Sequence, residues 1–213
     1  MADPMLSPQL TSYLDALVPA REPELSSMEA YAKEHGFPII GSVAGQILYQ
    51  VSRMIGARRI FELGSGYGYS TAWFARAVQE NGGGEVHHVV WDERLSQKAR
   101  GHLAALGFGD TVQYHVGEAV ETLRGVEGPF DLIFNDIDKQ GYPASLPVIA
   151  EKLRPGGVLI IDNMLWSGKV FDGDDRSPDT AAIREVTRLL TESDGWISSL
   201  IPVRDGLIVA MKK

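Results

Sequence analysis

From Arg59 onward the chain alternates short apolar runs with stretches of helical periodicity, and this alternation constrains the fold more than any other feature. RIFEL, EVHHVVWD, TVQYHV, FDLIFND and GVLIIDN read as strands, with helical patterns near Ser70 to Glu80, Glu93 to Leu106, Ala119 to Leu123 and Tyr142 to Leu153 between them. Strands followed in turn by helices predict a parallel sheet covered on both faces. A further helix is expected through Ala181 to Leu190, after which WISSLIPV and GLIVAMKK read as two antiparallel strands with Asp205-Gly206 supplying the turn. The expected class is therefore α/β: a mostly parallel sheet with a C-terminal antiparallel strand and helices on both faces. Residues 1–58 carry helical patterns only, starting near Ser7-Pro8, around Glu24 to His35 and from Ser42 to Ile55. In the last of these Ser42 is the expected N-cap, and Val43, Ile47, Leu48, Val51, Met54 and Ile55 form the expected buried stripe. No repeat or linker divides the 213 residues, so a single domain is expected.

Charge and composition exclude several partners. A formal charge of -8 without clustered Lys and Arg disfavours nucleic acid, because release of phosphate counterions needs such clusters. The absence of Cys removes disulfides and thiolate metal sites. The segment MADPMLSPQL lacks a basic stretch followed by a long apolar run, and no segment reaches ~18 consecutive apolar residues, so no membrane association and a cytoplasmic setting are expected.

Ligands of open α/β sheets bind beyond the carboxyl ends of the strands. The first strand runs into Glu62-Leu63-Gly64-Ser65-Gly66-Tyr67-Gly68-Tyr69-Ser70, where glycines let backbone approach a ligand and the next helix points its amino end at it. A tight turn without a ligand fits this loop too. Tyr69 stands where a dinucleotide fingerprint needs Gly or Ala, which counts against an NAD-dependent oxidoreductase. Asp92 closes the second run, either as acceptor for ribose hydroxyls or as the N-cap of the following helix. Gly117-Glu118-Ala119 would lie near an adenine by the same logic.

The fourth and fifth runs end in Asn135-Asp136-Ile137-Asp138-Lys139 and Asp162-Asn163. If those strands are neighbours, Asp136, Asp162 and Asn163 present three oxygen donors at one edge, a set suited to a hard cation such as Mg²⁺, Mn²⁺ or Ca²⁺. Each Asp alone reads better as a strand-end or capping residue. As a set, their mutual repulsion calls for a cation or a proton. The histidines, His87-His88 among them, show no ligand spacing, and Asp172, Asp174 and Asp175 lack the EF-hand pattern.

The loop ELGSGYGYST, NDIDKQGY, DNMLWSGKV and the terminal PVRDGL resemble the metal-dependent catechol and caffeoyl-CoA O-methyltransferase family, from about Phe37 to the C-terminus. The D-x-D-K followed by D-N-x-L-W-x-G is the discriminating part. The resemblance implies a Rossmann-like methyltransferase domain over 1–213, with N-terminal helices over 1–58 and the core over 59–213. It implies S-adenosylmethionine enclosed by Ile40, Glu62, Gly64, Ser65, Gly66, Tyr67, Ser70, Asp92, Gly117, Glu118 and Ala119, with Asp136 at its methionine end. Metal ligation by Asp136, Asp162 and Asn163, contact of Lys139 with the reacting hydroxyl, and Asp205 at the substrate or its metal are implied as well. Trp166 either walls the pocket for a small phenolic acceptor or belongs to the core. Asn135 departs from the family, which usually has an apolar residue there. A homodimer is implied. Lys139 either takes the acceptor proton or holds the phenolate by its charge, the first requiring burial or a nearby cation to disfavour the ammonium. The rival readings are an NAD-dependent oxidoreductase and a catalytically silent cofactor-binding protein.

Overall fold

The computed structural model describes residues 7–213, so the first residues of the MADPMLSPQL segment lie outside it. Strands β1 (Arg59–Leu63), β2 (Glu85–Val90), β3 (Val112–Val116), β4 (Phe130–Asn135), β5 (Leu153–Ile161), β6 (Trp196–Ile201) and β7 (Leu207–Lys212) form one seven-stranded sheet in the order β3-β2-β1-β4-β5-β7-β6. Six strands share one direction and β7 alone runs against it. The expected α/β class is what the structure contains.

Helices α2 (Pro23–His35), α3 (Gly41–Met54), α4 (Tyr69–Glu80) and α5 (Glu93–Ala105) cover one face, with α1 (Pro8–Leu17) lying outside α3. Helices α6 (Ala119–Gly125), α7 (Tyr142–Lys152) and α8 (Pro178–Thr191) cover the other. Both layers are needed because the carboxyl halves of β1, β4 and β5 are buried on both faces. Each Leu, Ile or Phe removed from water there contributes roughly 1.5–3 kcal/mol. From β1 the chain moves outward to β2 and β3, then returns to the other side of β1 for β4 and β5. The loops leaving β1 and β4 thus part in opposite directions and open a crevice at the sheet's carboxyl edge. Among the described residues no helix is long and apolar enough to cross a membrane.

Three expectations are corrected. Helix α3 begins at Gly41, and Ser42 does not cap it; its hydroxyl donates instead to Asp15 Oδ1 at 2.9 Å. The buried face of α3 is Ala44, Gly45, Leu48 and Ser52, while Val43, Ile47 and Val51 are half-buried and Met54 is exposed. Close approach to α4 selects small residues there: a Cβ on Gly45 would lie 2.3 Å from the Trp73 indole nitrogen. The turn between β6 and β7 is wider than Asp205-Gly206, spanning Pro202 to Gly206 between the paired residues Ile201 and Leu207. Pro202 has no N–H to extend the ladder, and Gly206 N–H closes the turn on Val203 O at 2.8 Å.

Helix propensity alone would make Gly45→Ala stabilising by about 1 kcal/mol. The overlap with buried Trp73 reverses that sign, so the expected outcome is a net loss of about 1–3 kcal/mol in urea unfolding.

Candidate active site

The site follows from strand register. Leu63 pairs with Asn135, and Asn135 with Ile161, so the residues that follow, Gly64, Asp136 and Asp162, emerge side by side. Asp136 N–H donates to Leu63 O at 2.9 Å and Asp162 N–H to Asn135 O at 3.3 Å, continuing the ladder one step beyond the strands. Gly64 is required here: its φ is 85°, and a Cβ would lie 2.5 Å from the Asp136 carbonyl oxygen. A cavity of about 990 Å³ opens along this row, lined by Asp136, Lys139, Asp162, Asn163 and Trp166 at one end and by Val90, Trp91, Gly117, Glu118 and Ala119 at the other. A recess of about 30 Å³ adjoins it, lined by Ile40, Gly64, Ser65, Gly66, Tyr67 and Ser70 with Asp136.

Buried bonds hold the glycine loop. Ser65 N–H donates to Val89 O at 2.9 Å and Val89 N–H donates to Ser65 Oγ at 2.9 Å, tying the loop to β2. Tyr67 donates to Met28 O at 2.9 Å from within the core. Glu62 lines neither cavity; it sits beneath the loop, accepting from Thr71 Oγ1 at 2.5 Å, with His88 Nδ1 3.1 Å from the same hydroxyl. Burial raises Glu62 to about 7, and its Oε1 has no hydrogen-bond partner. Burial also pushes His88 down to about 3, keeping it neutral.

The structure does not bring Asp92 into the cavity. Strand β2 ends at Val90, and Asp92 caps α5, its Oδ1 accepting from Arg94 N–H at 2.7 Å. The wall there is Val89, Val90 and the 70% exposed Trp91, an aromatic face overlooked because the apolar run continues through it. Glu118 lines the cavity and also caps α6, accepting from Glu121 N–H at 2.5 Å.

At the other end Asp162 is 3% exposed, and its Oδ1 has no hydrogen-bond partner. Burial raises its pKa, with the charge of Asp136 adding to the effect, and burial raises Asp136 despite Lys139. Lys139 Nζ donates to Asp136 Oδ1 at 2.9 Å, Tyr142 Oη at 2.9 Å and Ile137 O at 3.3 Å, while Tyr142 donates to Asp162 O at 3.0 Å. Asn163, at φ 61°, turns its amide nitrogen toward Asp205 Oδ2 at 3.4 Å. Asp205 itself lies outside the lining, its Oδ1 accepting from Ser167 N–H at 2.5 Å; the residue of that turn in the cavity wall is Arg204. Asn135 points away, donating to Ser145 Oγ at 2.9 Å. Among the described residues no three His, Cys, Asp or Glu side chains gather to hold a metal. A cation would need the mixed set of two carboxylates and an amide oxygen, and the unpartnered oxygen of Asp162 fits one.

Residues 24–213 match the model of an O-methyltransferase family. The chain belongs to this family. It is 30% identical over 213 aligned residues to a catechol O-methyltransferase of Niastella koreensis, covering 94% of this chain and 95% of the relative. An O-methyltransferase of Streptomyces achromogenes, solved in complex with SAM, superposes with a TM-score of 0.87 at 26% identity, covering 96% of each chain. One from Bacillus cereus, in complex with SAH, gives 0.87 at 27% identity, covering 96% of this chain and 97% of the neighbour. Membership displaces the oxidoreductase reading of the glycine loop in this O-methyltransferase.

The raised Glu62 carries a stability consequence for the methyltransferase. Between its ordinary value near 4.5 and about 7, the folded chain keeps a proton that the unfolded chain loses, so stability falls as pH rises through that window. Glu62→Gln is expected to flatten this decline, by on the order of 1–3 kcal/mol across the window in chemical denaturation.

Proposed function

We propose that this methyltransferase transfers the methyl group of S-adenosylmethionine to one hydroxyl of a catechol-like or caffeoyl-type phenol. In the same reading Asp136, Asp162 and Asn163 hold Mg²⁺, or Mn²⁺ or Ca²⁺ in its place. The observation that carries it is the buried, unpartnered Asp162 Oδ1 beside a second carboxylate in the row that begins at Gly64. Leaving such an oxygen without a partner costs stability unless a ligand completes it. The relative named as a catechol O-methyltransferase and the neighbours in complex with SAM or SAH support the same assignment.

The cradle formed by Gly64, Ser65, Gly66 and Ser70 beside Asp136 suits the methionine end of the cofactor, and Trp91 offers its face to the adenine. When bound, the sulfonium supplies an already activated methyl group. A hard cation in the carboxylate set would stabilise an acceptor phenolate. The chain's own task is alignment, since bringing oxygen and methyl into line can supply about 7–11 kcal/mol of such a barrier. All three N–H bonds of Lys139 have acceptors, which favours holding the phenolate by charge over taking its proton. Trp166, at the wall beside Asn163, confines the ring. A second copy of the chain would cover the exposed stripe Leu10, Tyr13 and Leu17 on α1, consistent with a homodimer.

Chelation is expected to abolish methylation of caffeate and added Mg²⁺ or Mn²⁺ to restore it, while 4-coumarate, with a single hydroxyl, reacts at least tenfold more slowly by order of magnitude. Full turnover in chelator would refute the metal. Lys139→Ala is expected to lower kcat by about 100-fold with KM changed by less than about threefold. For the cofactor, calorimetry with S-adenosylhomocysteine should show Asp92→Asn binding within about threefold of wild type, because Asn retains the cap. Trp91→Ala should bind about tenfold or more weakly through lost stacking.

A further inference from the structure

We infer that Arg204 reads an anionic group on the acceptor, so that catechol carboxylates are taken in preference to neutral catechols; this rests on the methyltransferase reading above. The ionisable side chains lining the cavity are Glu118, Asp136, Asp138, Asp162, Asp179, Lys139 and Arg204. Acids outnumber bases, so an anionic acceptor is repelled unless a cation with free donors meets it. Lys139 has none free. Arg204 has: among the described residues its guanidinium makes no hydrogen bond, and its nearest carboxylate oxygen is Asp162 Oδ2, 4.0 Å from Nη1 and beyond hydrogen-bond reach, with Asp136 also within range of its charge.

Its placement is built rather than incidental. Arg204 holds φ 50°, a conformation that residues with a side chain rarely adopt. The side chain lies against Gly41, where a Cβ would sit in ordinary contact 3.4 Å from Arg204 Nε. The turn carrying it is tied to the acceptor end of the cavity by backbone bonds, Met164 N–H to Gly206 O at 3.0 Å and Leu165 N–H to Asp205 O at 2.7 Å. The guanidinium therefore lies beside Asp162, at the end of the cavity away from Trp91 and Glu118. A planar fork of N–H donors matches a carboxylate in bidentate geometry. A neutral acceptor leaves that fork unmatched.

The test compares caffeate with its methyl ester, and 3,4-dihydroxybenzoate with its methyl ester, in the full chain with S-adenosylmethionine and Mg²⁺. Wild type is expected to favour each acid over its ester by about tenfold or more in kcat/KM, carried by KM. Arg204→Gln should raise KM for the acids by a similar factor and leave the esters within about threefold, with Arg204→Lys retaining part of the preference. Calorimetry of the same pairs on the chain loaded with S-adenosylhomocysteine should reproduce the order without turnover. Equal use of acid and ester by wild type overturns the inference. So does an equal loss on acids and esters in Arg204→Gln, which would make Arg204 a support for Asp162. If wild type methylates neither acid nor ester, the catechol reading itself falls, and this inference with it.

Discussion

Two carboxylates, Asp136 and Asp162, are kept side by side in a largely buried position by the in-register pairing of β1, β4 and β5. The rest of the cavity answers to that constraint. Well-packed apolar residues in their place would commonly be as stable or more so, so the pair is a cost the fold carries for its site. Part of the cost is offset locally. Lys139 bonds Asp136 and Tyr142, and Tyr142 bonds the backbone of Asp162, so a single chain of hydrogen bonds links both strand ends to α7. What this chain does not reach is Asp162 Oδ1, and an unmet buried oxygen is where a ligand adds most.

The glycine loop is rigid for a related reason. Glu62 on β1, Thr71 in the first turn of α4 and His88 on β2 meet in one buried network, and Ser65 closes the loop onto β2 from above. Burial raises Glu62 toward its protonated form and keeps His88 neutral, so hydrogen bonds rather than ion pairs hold the network. The cradle is thereby shaped before any ligand arrives, and binding spends little on ordering it.

Element order, the parallel sheet and the antiparallel β7 were legible from apolar runs, because strands buried on two faces have no other composition available. The strand-end acids were legible because a parallel sheet aligns the carboxyl ends of neighbouring strands. Where legibility failed, a displacement of one or two residues decided the outcome. The run EVHHVVWD continues two residues past the last ladder residue, Val90, so Asp92 falls to the cap and Trp91 to the cavity. At the turn between β6 and β7 it is Arg204, at a positive φ, and not the expected Asp205 that lines the cavity. On α3 periodicity ranked Val43, Ile47 and Val51 by hydrophobicity, whereas packing against Trp73 ranked Gly45 and its neighbours by size.

The two ends of the cavity are built on different parts of the fold. The end at Trp91 and Gly117 depends on β2, β3 and the caps of α5 and α6, whereas the end at Trp166 and Arg204 depends on the segments that follow β5 and join β6 to β7. That second end is pinned by backbone bonds, Met164 to Gly206 and Leu165 to Asp205, which are indifferent to side-chain identity. A substitution at position 166 or 204 can therefore reshape that end of the cavity while the row Gly64, Asp136, Asp162 keeps its register. In the reading proposed above, the chemistry rests on the sheet and acceptor choice on the loops, so the two would vary independently on one scaffold.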